Sequence, residues 1–290
     1  MPWVNAIVQG VLLGGLYALF ATGLSLVFGV MRVVNLAHGV LTLLATYVAL
    51  VVVEATGISP LLALVVVIPV MFGLGYAIQR WLVNPTLHGG VLPPLLVTFG
   101  LAIVTENALL EVFSADSRGL HAGRIESTSI TITDRLSIGW LPLVIFLVAV
   151  VVLVGLQLLL DRTMFGRALR ATSDDPEAAQ LMAIDDRRIY ALAVGLAVAI
   201  AGVAGVFLGV RTTFGPLEGP VLLIFAFEAV IIGGLGSLWG TLVGGIILGV
   251  AQSLGARLDP GWFQLAGHLM FLTILAVRPR GLFARQVSHA

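Results

Sequence analysis

Residues 10–49 read GVLLGGLYALFATGLSLVFGVMRVVNLAHGVLTLLATYVA, and apart from His38 the only ionisable side chains among these forty residues are those of Tyr17, Tyr47 and Arg32. An α-helix rises about 1.5 Å per residue, so roughly 20 apolar residues cross the hydrocarbon core of a bilayer. The stretches on both sides of Arg32 are about that long, and they lack the apolar and polar alternation of a membrane β-strand. The sequence therefore predicts two membrane-spanning helices joined near Arg32.

The same pattern continues along the chain, which has 290 residues, 59% of them hydrophobic and 10% charged. This is more apolar surface than a soluble core can bury. We therefore predict an all-α fold, a polytopic transmembrane helical bundle that forms one domain over residues 1–290 and has eight to nine membrane segments. The predicted segments are 4–29, 34–53, 60–82, 91–113, 138–160, 188–210, 221–235, 238–256 and 262–277. The seventh is short and contains Glu228, so it either crosses or re-enters, which leaves both counts open.

The arginines predict the orientation, because short cytoplasmic loops of membrane proteins carry an excess of basic residues. If nine segments cross, ten of the fifteen arginines fall on one side and five on the other. The richer side holds the C-terminus, which is therefore predicted to be cytoplasmic, with the N-terminus outside. The opening MPWVNAIVQG lacks the basic region and cleavage site of a secretory signal peptide, so the first segment is predicted to be retained.

Several residue types are missing from the sequence, and each absence excludes a class of site. There is no cysteine, which excludes disulfides and thiolate chemistry, and all fifteen basic residues are arginine. A phosphate-binding loop needs a lysine on the terminal phosphates, so any ATP must be bound by another chain. The five histidines show no metal-ligand spacing, and no G-x-S-x-G occurs. We expect no enzyme activity, no metal site and no cofactor bound by this chain.

Residues 161–187 are predicted to form a cytoplasmic loop. Eleven charged residues lie between positions 161 and 190. At roughly 3 kcal/mol each at mid-bilayer, their burial in lipid would cost on the order of 30 kcal/mol. This segment must therefore lie outside the membrane.

The loop also contains the signals of a short helix. Asp175 is a helix N-cap, Pro176 suits the first helical position, and Glu177 suits the first turn. Ala178, Leu181 and Met182 then follow at i, i+3 and i+4 and form one apolar stripe. Asp185 or Asp186 is expected to cap the next span. Two interpretations remain: a connector that rests on the bilayer surface, or an element that docks into a soluble partner.

Three stretches resemble the permease subunits of ABC importers, in particular those of the branched-chain amino acid type. They are the apolar segment 10–49 with its NLAHG junction, the loop RALRATSDDPEAAQLMAI with the span that follows, and EAVIIGGLGSLWGTLVGGIILGV at 228–250. The resemblance covers roughly 5–55 and 160–280, whereas the middle of the chain matches mainly in pattern.

The resemblance implies a role for the loop, which in this family inserts into the ATP-binding subunit and couples its closure to the spans. The coupling residues implied are Arg167, Arg170, Asp175, Glu177, Ala178, Ala179, Leu181, Met182 and Ala183. Ala183 stands where many such segments have glycine, which leaves the shape of this turn open.

The resemblance also implies the partners and the location. The expected partners are a second homologous permease subunit, two cytoplasmic ATP-binding subunits that hold ATP and Mg, a periplasmic substrate-binding protein and membrane lipid, but no nucleic acid. The expected location is the bacterial inner membrane. The implied function is import of branched-chain or related amino acids.

Acidic residues within the spans are candidates for the translocation pathway, because ionisable side chains are costly in lipid. Glu228 is the best placed, followed by Glu106 with its neighbours Thr105 and Asn107. A carboxylate there would attract the ammonium group of an amino acid, while helix N-termini or backbone amides would bind its carboxylate. The alternative for each residue is a structural hydrogen bond between helices.

Asn35 and His38 are further pathway candidates, and they are predicted to lie at the cytoplasmic end of the second span. Their structural alternatives are simple. Asn35 can cap the helix, and His38 can hydrogen-bond a backbone carbonyl.

Glycines spaced four apart predict tight helix packing, since a face without side chains lets two backbones approach closely. The residues expected to pack in this way are Gly205, Gly236, Gly240, Gly244 and Gly249.

Residues 114–137 form the longest predicted external loop, which is polar and has Ile130 and Ile132 alternating with threonines. This alternation favours a short hairpin. In the ABC permease family, this outer side receives the binding protein.

Two other functions remain open on the sequence. An ion-coupled secondary carrier or channel for a small polar solute, including urea-type or amide substrates, would use the acidic residues in the spans and need no ATPase. A structural membrane scaffold would tolerate the loss of those residues.

Overall fold

The computed structural model describes residues 2–133 and 136–283. Two irregular helical stretches extend α3, a π-helical one at Ile78–Val83 and a 3-10 one at Asn84–Gly89, and a 3-10 turn at Pro216–Glu218 precedes α10. The α-helices are α1 (Pro2–Met31), α2 (His38–Thr56), α3 (Pro60–Ala77), α4 (Leu92–Phe113), α5 (Arg124–Ser127), α6 (Trp140–Arg162), α7 (Met164–Asp174), α8 (Pro176–Leu181), α9 (Asp186–Arg211), α10 (Gly219–Gly233), α11 (Leu238–Leu258) and α12 (Trp262–Val277).

Within the described chain, eight helical segments are long and apolar enough to cross a membrane, and α12 is a ninth apolar helix of 16 residues. The seventh predicted segment is among the eight, because the turn Pro216–Glu218 extends α10 to 18 residues. The prediction of a polytopic helical bundle with eight to nine segments is therefore confirmed.

The two ends of the bundle are distinguished by the elements at either end of α6. A small hairpin precedes α6, and α7 and α8 follow α6. The length of α6, about 34 Å, therefore separates the hairpin from α7 and α8. The N-terminal part of α1 lies at the hairpin end, where the Gln9 side chain donates to the Ser137 carbonyl (2.9 Å). At the other end, the backbone amides of Leu282 and Phe283 donate to Ile232 and Gly233. The described part of the chain therefore begins at the hairpin end of the bundle and finishes at the other end, as an odd number of passes requires.

The hairpin lies in the loop predicted between residues 114 and 137. Strand β1 (Ser129–Thr133) pairs antiparallel with β2 (Leu136–Gly139), with Ile130 opposite Ile138. The predicted hairpin is therefore present, while its residues Asp134 and Arg135 lie outside the described residues. The first part of the loop is fixed to α9, because the Leu120 amide donates to the Gly209 carbonyl (2.8 Å).

Helices α1 and α9 form the centre of the bundle and are buried along most of their length. Helix α11 packs along α1, and α3 packs along α9. Around these pairs, α2 and α10 fill the space between α9 and α11, α6 packs on α1, α4 packs on α2, and α12 packs on α10 and α11. Lipid is as apolar as the side chains, so close backbone contact rather than water exclusion stabilises such packing.

The predicted packing glycines lie at these contacts, with one exception. A β-carbon at Gly240 would overlap the Gly233 carbonyl, and one at Gly244 would overlap the Ala229 carbonyl, both on α10. A β-carbon at Gly249 would overlap the Gly10 carbonyl of α1, and one at Gly205 would overlap the Thr42 carbonyl of α2. Gly236 does not share this helical face, because α11 begins only at Leu238. It lies instead in the preceding turn, where φ is 80° and only glycine is unstrained.

Candidate functional site

The candidate coupling segment consists of α7 and α8. Helix α7 was not predicted from the sequence, because its apolar residues are few and their partners are distant in the chain. The Thr163 hydroxyl caps it by accepting from the Gly166 amide (3.2 Å), and Gly166, Leu169 and Thr172 are buried at i, i+3 and i+6. The Ser173 hydroxyl donates to the Gly29 carbonyl of α1 (2.9 Å). Helix α7 is thus held against the end of the bundle.

Arg170 connects α7 to α6. Its guanidinium donates to the Leu160 carbonyl (2.6 Å) and lies 3.4 Å from the Asp161 carboxylate. Arg167 differs from it, because its residue lies exposed on the outer side of α7. Of the two predicted coupling arginines, Arg170 therefore positions α7 and Arg167 faces outward.

Helix α8 begins as its sequence predicts. The Asp175 carboxylate accepts from the Ala178 amide (3.0 Å), with Pro176 in the first turn. Ala179 is the buried residue of this helix. The residues of the predicted stripe face outward, with Leu181 89% exposed and Met182 78% exposed. The apolar stripe of α8 thus points away from the rest of the described chain.

The turn after α8 has the geometry of a glycine turn although it contains alanine. The Ala183 amide donates to the Gln180 carbonyl (2.9 Å), and the Ile184 amide donates to the Ala179 carbonyl (3.0 Å). These two bonds define a Schellman motif, whose residue after the helix is left-handed. Ala183 takes that conformation, with φ 60°. The Asp185 carboxylate then accepts from the Arg188 amide (3.2 Å), so Asp185 caps α9.

Asn35 and His38 lie deeper than predicted. His38 Nε2 is 2.8 Å from the Phe20 carbonyl oxygen, and Phe20 precedes the end of α1 by eleven residues. This places His38 about 16 Å from that end. His38 is the first residue of α2, as the prediction requires, but this end of the second span lies deep because residues 32–37 are not helical and run back along α1 before α2 begins.

The structure gives both side chains local hydrogen bonds. The Asn35 side-chain oxygen accepts from the Ala37 amide (3.0 Å), and the imidazole of His38 is hydrogen-bonded to the Phe20 carbonyl of α1. His38 Nδ1 is buried and has no partner within the described residues. The His38 contact matches its structural alternative, whereas Asn35 does not cap α2: its oxygen accepts from Ala37, the residue before the helix, and α2 has no side-chain cap.

Glu228 is buried in α10 and is bonded to His268 of α12. The bond joins Glu228 Oε1 to His268 Nδ1. The Glu228 side chain is 3% exposed, whereas that of His268 is 39% exposed. The second carboxylate oxygen has no partner in the described part of the chain. His268 therefore lies between a buried acid and the outer surface of the bundle.

A second polar pair adjoins this one and was also missed from the sequence. The Tyr17 hydroxyl of α1 donates to the Gln252 side chain of α11, and both residues are buried. The Phe225 ring lies between the pairs, 5.3 Å from the Tyr17 ring and 6.3 Å from the His268 ring. The sequence does show that several apolar helices each contain an isolated polar residue. It does not show which of these residues pair, because pairing depends on the packing of helices that are remote in sequence.

Thr105, Glu106 and Asn107 are not brought to this cluster. They lie on α4, which packs on α2 and on the turn Pro216–Glu218. Asn107 is exposed, and its side-chain amide donates to the Ile103 carbonyl of its own helix (2.8 Å). Glu106 is partly buried. The two sets of acidic pathway candidates therefore occupy separate helices.

A cavity of about 520 Å³ opens beside the coupling segment. It lies between α1, α6, α7, the turn between α10 and α11, and Phe283. Its polar lining includes Ser25, Arg32, Asp161 and Arg170. A change in the position of α7 would therefore alter this cavity directly.

Comparison with known proteins identifies the family to which this chain belongs. The profile of a family described as the permease component of branched-chain amino acid transport systems matches residues 6–277. The high-affinity branched-chain amino acid transport system permease protein BraD of Pseudomonas aeruginosa is 29% identical over 98% of this chain and 96% of its own. The corresponding permease protein LivH of Salmonella typhimurium is 30% identical over 96% and 94%. The fructose import permease protein FrcC of Rhizobium meliloti is 34% identical over 72% and 61%. Since the family profile spans nearly the whole chain, this multi-pass membrane protein belongs to the branched-chain amino acid transport permease family.

Proposed function

We propose that this permease imports branched-chain amino acids across the bacterial inner membrane, driven by ATP-binding subunits that dock on α8. The observation that carries the proposal is the outward apolar stripe of α8 in a chain of this family. Leaving a leucine or methionine side chain in water rather than burying it costs roughly 1.5–3 kcal/mol. Burial of Leu181 and Met182 against a partner surface would remove that cost.

The charge around the stripe favours a protein over the bilayer. Asp174, Asp175 and Glu177 precede it, and no basic residue lies between positions 171 and 186. Helices that rest on membranes carry lysine and arginine on their polar side, because the cytoplasmic leaflet is anionic. An acidic segment would be repelled there, so a groove on a soluble subunit with basic edges is the better partner.

The contacts of α7 provide the route by which movement reaches the spans. Arg170 ties α7 to the end of α6, and Ser173 ties it to α1. A displacement of α8 by closure of the ATP-binding subunits would therefore pull on one central and one peripheral span. Those subunits would hold ATP and Mg, since this chain has no lysine for a phosphate-binding loop.

The other partners follow from the same assignment. The hairpin end would face outward and receive a periplasmic substrate-binding protein, with the α7–α8 end in the cytoplasm. The arginine distribution supports this orientation. A second permease subunit would complete the membrane part.

The docking step is tested by replacing both Leu181 and Met182 with alanine, which keeps the helix because alanine is its best former. We expect the permease to reach the membrane normally but to lose its ATP-binding subunits on purification, together with leucine uptake. The matched control replaces the exposed Leu147 and Val151 of α6 with alanine and should retain both. Uptake at the parental level with the ATP-binding subunits still bound would refute the docking assignment.

The substrate is tested separately, because the name of FrcC refers to fructose. Uptake of radiolabelled leucine should be inhibited by isoleucine and valine and not by fructose. An ion-coupled carrier would instead take up solute without any ATP-binding subunit, and the Glu228–His268 pair is the group that would carry a proton in it. Transport by the purified chain alone in vesicles would favour that second function.

A further inference from the structure

The cavity beside the coupling segment extends into the membrane part of the bundle. Its lining includes Ser25 of α1, which lies six residues before the helix ends at Met31. Six residues correspond to about 9 Å along the helix axis. Arg32 and Asp174 belong to the same lining and are exposed. The volume of about 520 Å³ falls in the range of roughly 300–1,000 Å³ that is typical of small-molecule sites. The cavity therefore has a buried inner end and an open mouth, with room for a small ligand.

Ser25 lies at the inner end, beside the start of α11. Helix α11 packs antiparallel to α1, and a β-carbon on Gly245 would lie 2.9 Å from the Ala18 backbone nitrogen. Counting seven residues from this contact along each helix places Ser25 level with Leu238, the first residue of α11. Ser25 is 1% exposed, and its hydroxyl has no hydrogen-bond partner within the described residues. A free, buried hydroxyl is thus available to a ligand at this end of the cavity.

The first turn of α11 supplies further donors at the same level. Amides at the start of a helix have no partner within the helix, and the positive end of the helix dipole lies there. The Ser237 hydroxyl accepts from the Gly240 amide (3.1 Å). The amides of Leu238 and Trp239, two residues of the cavity lining, are left without a partner in the described chain. Helix N-termini of this kind bind carboxylates, so these amides and the Ser25 hydroxyl form an anion subsite.

The charged residues of the lining favour a ligand that carries both signs. They are two arginines and two aspartates, so the lining is neutral as a whole. Arg170 and Asp161 pair with each other at 3.4 Å. The side chains of Arg32 and Asp174 make no ion pair or hydrogen bond within residues 2–133 and 136–283. One free charge of each sign therefore lies at the mouth. The wall between the mouth and Ser25 is apolar and includes the buried residues Leu26, Val30 and Leu169.

We propose that this cavity binds one molecule of the imported amino acid from the cytoplasmic side, and that the bound molecule slows further import. We call the cavity the product site, and it consists of Ser25, Arg32, Asp174, Leu238, Trp239 and the apolar wall. The carboxylate of the ligand binds at the anion subsite, its ammonium group binds Asp174, and its aliphatic side chain contacts the wall. A phosphate would match the anion subsite but would be repelled by the two aspartates.

The effect on import follows from the helices that line the site. Helix α7 contributes Leu169, Arg170, Ser173 and Asp174 to the lining, and α1 and α11 contribute the anion subsite. A ligand held at both places links α7 to two spans in addition to the Ser173 bond. Closure of the ATP-binding subunits must break this link to move α7. The inference rests on the proposed function, because the ligand is the substrate named there.

The experiment uses the complete transport complex in lipid vesicles, with the binding protein outside and ATP inside. The initial rate of radiolabelled leucine uptake is compared between empty vesicles and vesicles loaded with unlabelled leucine. We expect internal leucine to slow uptake. In Ser25→Ala and in Asp174→Asn, the internal concentration that halves the rate should rise about tenfold or more, since each variant removes a hydrogen bond to a charged group. The control is Arg162→Gln, which removes an exposed charge at the same end of the bundle but outside the lining, and it should be inhibited like the parent.

Equilibrium dialysis of radiolabelled leucine with the complex, without the binding protein, measures the site directly. Binding should be weakened by the same two variants and displaced by valine but not by inorganic phosphate. Displacement by phosphate as effective as that by valine would show a plain anion site and overturn the proposal. If empty vesicles import leucine but internal leucine inhibits both variants as strongly as the parent, the product site is wrong and the proposed function stands. If empty vesicles import no leucine, the proposed function fails and the product site falls with it.

Discussion

Replacing Ala183 with glycine should stabilise the turn that ends α8. Ala183 has φ 60°, and a residue with a β-carbon pays roughly 1–2 kcal/mol in the left-handed helical region. Glycine avoids that cost but loses roughly 0.5–1 kcal/mol through the greater freedom of the unfolded chain. Taking the middle of each range, the net stabilisation is about 0.75 kcal/mol. It should appear locally, since the two hydrogen bonds of the Schellman motif break together when the turn opens.

The assay is amide hydrogen exchange of the permease in lipid nanodiscs. The amides of Ala183 and Ile184 donate to Gln180 and Ala179, so their exchange reports opening of the turn. Since 1.4 kcal/mol corresponds to a factor of ten, exchange of the Ile184 amide should slow about two- to fivefold. Amides in α9 beyond Asp185 should be unaffected, because Asp185 begins a separately capped helix.

The control is the same substitution at Ala178, where the backbone is helical. Glycine there costs about 1 kcal/mol relative to alanine, so exchange should accelerate about fivefold. The two variants thus differ only in backbone conformation at the changed residue, and their effects should have opposite signs. If Ala183→Gly exchanged as fast as the parent while Ala178→Gly behaved as stated, the left-handed geometry of this turn would be refuted.

Two further predictions concern packing within the membrane, and thermal unfolding in detergent measures both. Gly244→Ala should lower the unfolding temperature, because the new β-carbon would overlap the Ala229 carbonyl and overpacking typically costs about 1–3 kcal/mol. The control is Gly155→Ala, which should be neutral because no atom lies within 4 Å of the new β-carbon. Equal losses of stability in the two variants would contradict the packing of Gly244 on α10. His268→Leu should destabilise by about 1–3 kcal/mol, because it leaves the buried Glu228 without its hydrogen bond. Adding Glu228→Leu should recover part of that loss, since removing a whole buried pair costs less than breaking it, and a double variant no more stable than the single would argue against the pair.

The helices that cross the membrane were predictable because their signal is local and strong. Length and uninterrupted apolarity are sufficient to identify α1 or α9. The sequence Asp-Pro-Glu is sufficient to identify the start of α8, because it combines an N-cap residue with a proline and an acid suited to the first turn. The α8 boundaries therefore agree with the sequence to within a residue. The exposure of its stripe agrees with both interpretations that the sequence left open, a connector on the bilayer surface and an element that docks into a partner.

The rest could not be predicted because it depends on contacts between distant residues. Helix α7 was missed since its stability comes from Leu160 and Gly29, which the segment itself does not reveal. His268 was judged one of several scattered histidines, and only the packing of α12 on α10 brings it to Glu228. The depth of His38 was not predicted for a related reason: the sequence shows that the first helix ends near Arg32, but not that residues 32–37 run back along α1 before the second helix begins.

That return at residues 32–37 has a consequence for how the protein is made. The Leu36 amide donates to the Thr98 hydroxyl of α4 (3.2 Å), across 62 positions of sequence. Until the ribosome has synthesised and released α4, this amide has no such acceptor, and an unpaired backbone donor is costly in lipid. The first two spans therefore cannot settle into their final arrangement as they leave the insertion machinery. We therefore expect the 32–37 segment to keep this backbone amide in contact with water until the fourth span has entered the bilayer, and His38 to reach its final depth only then.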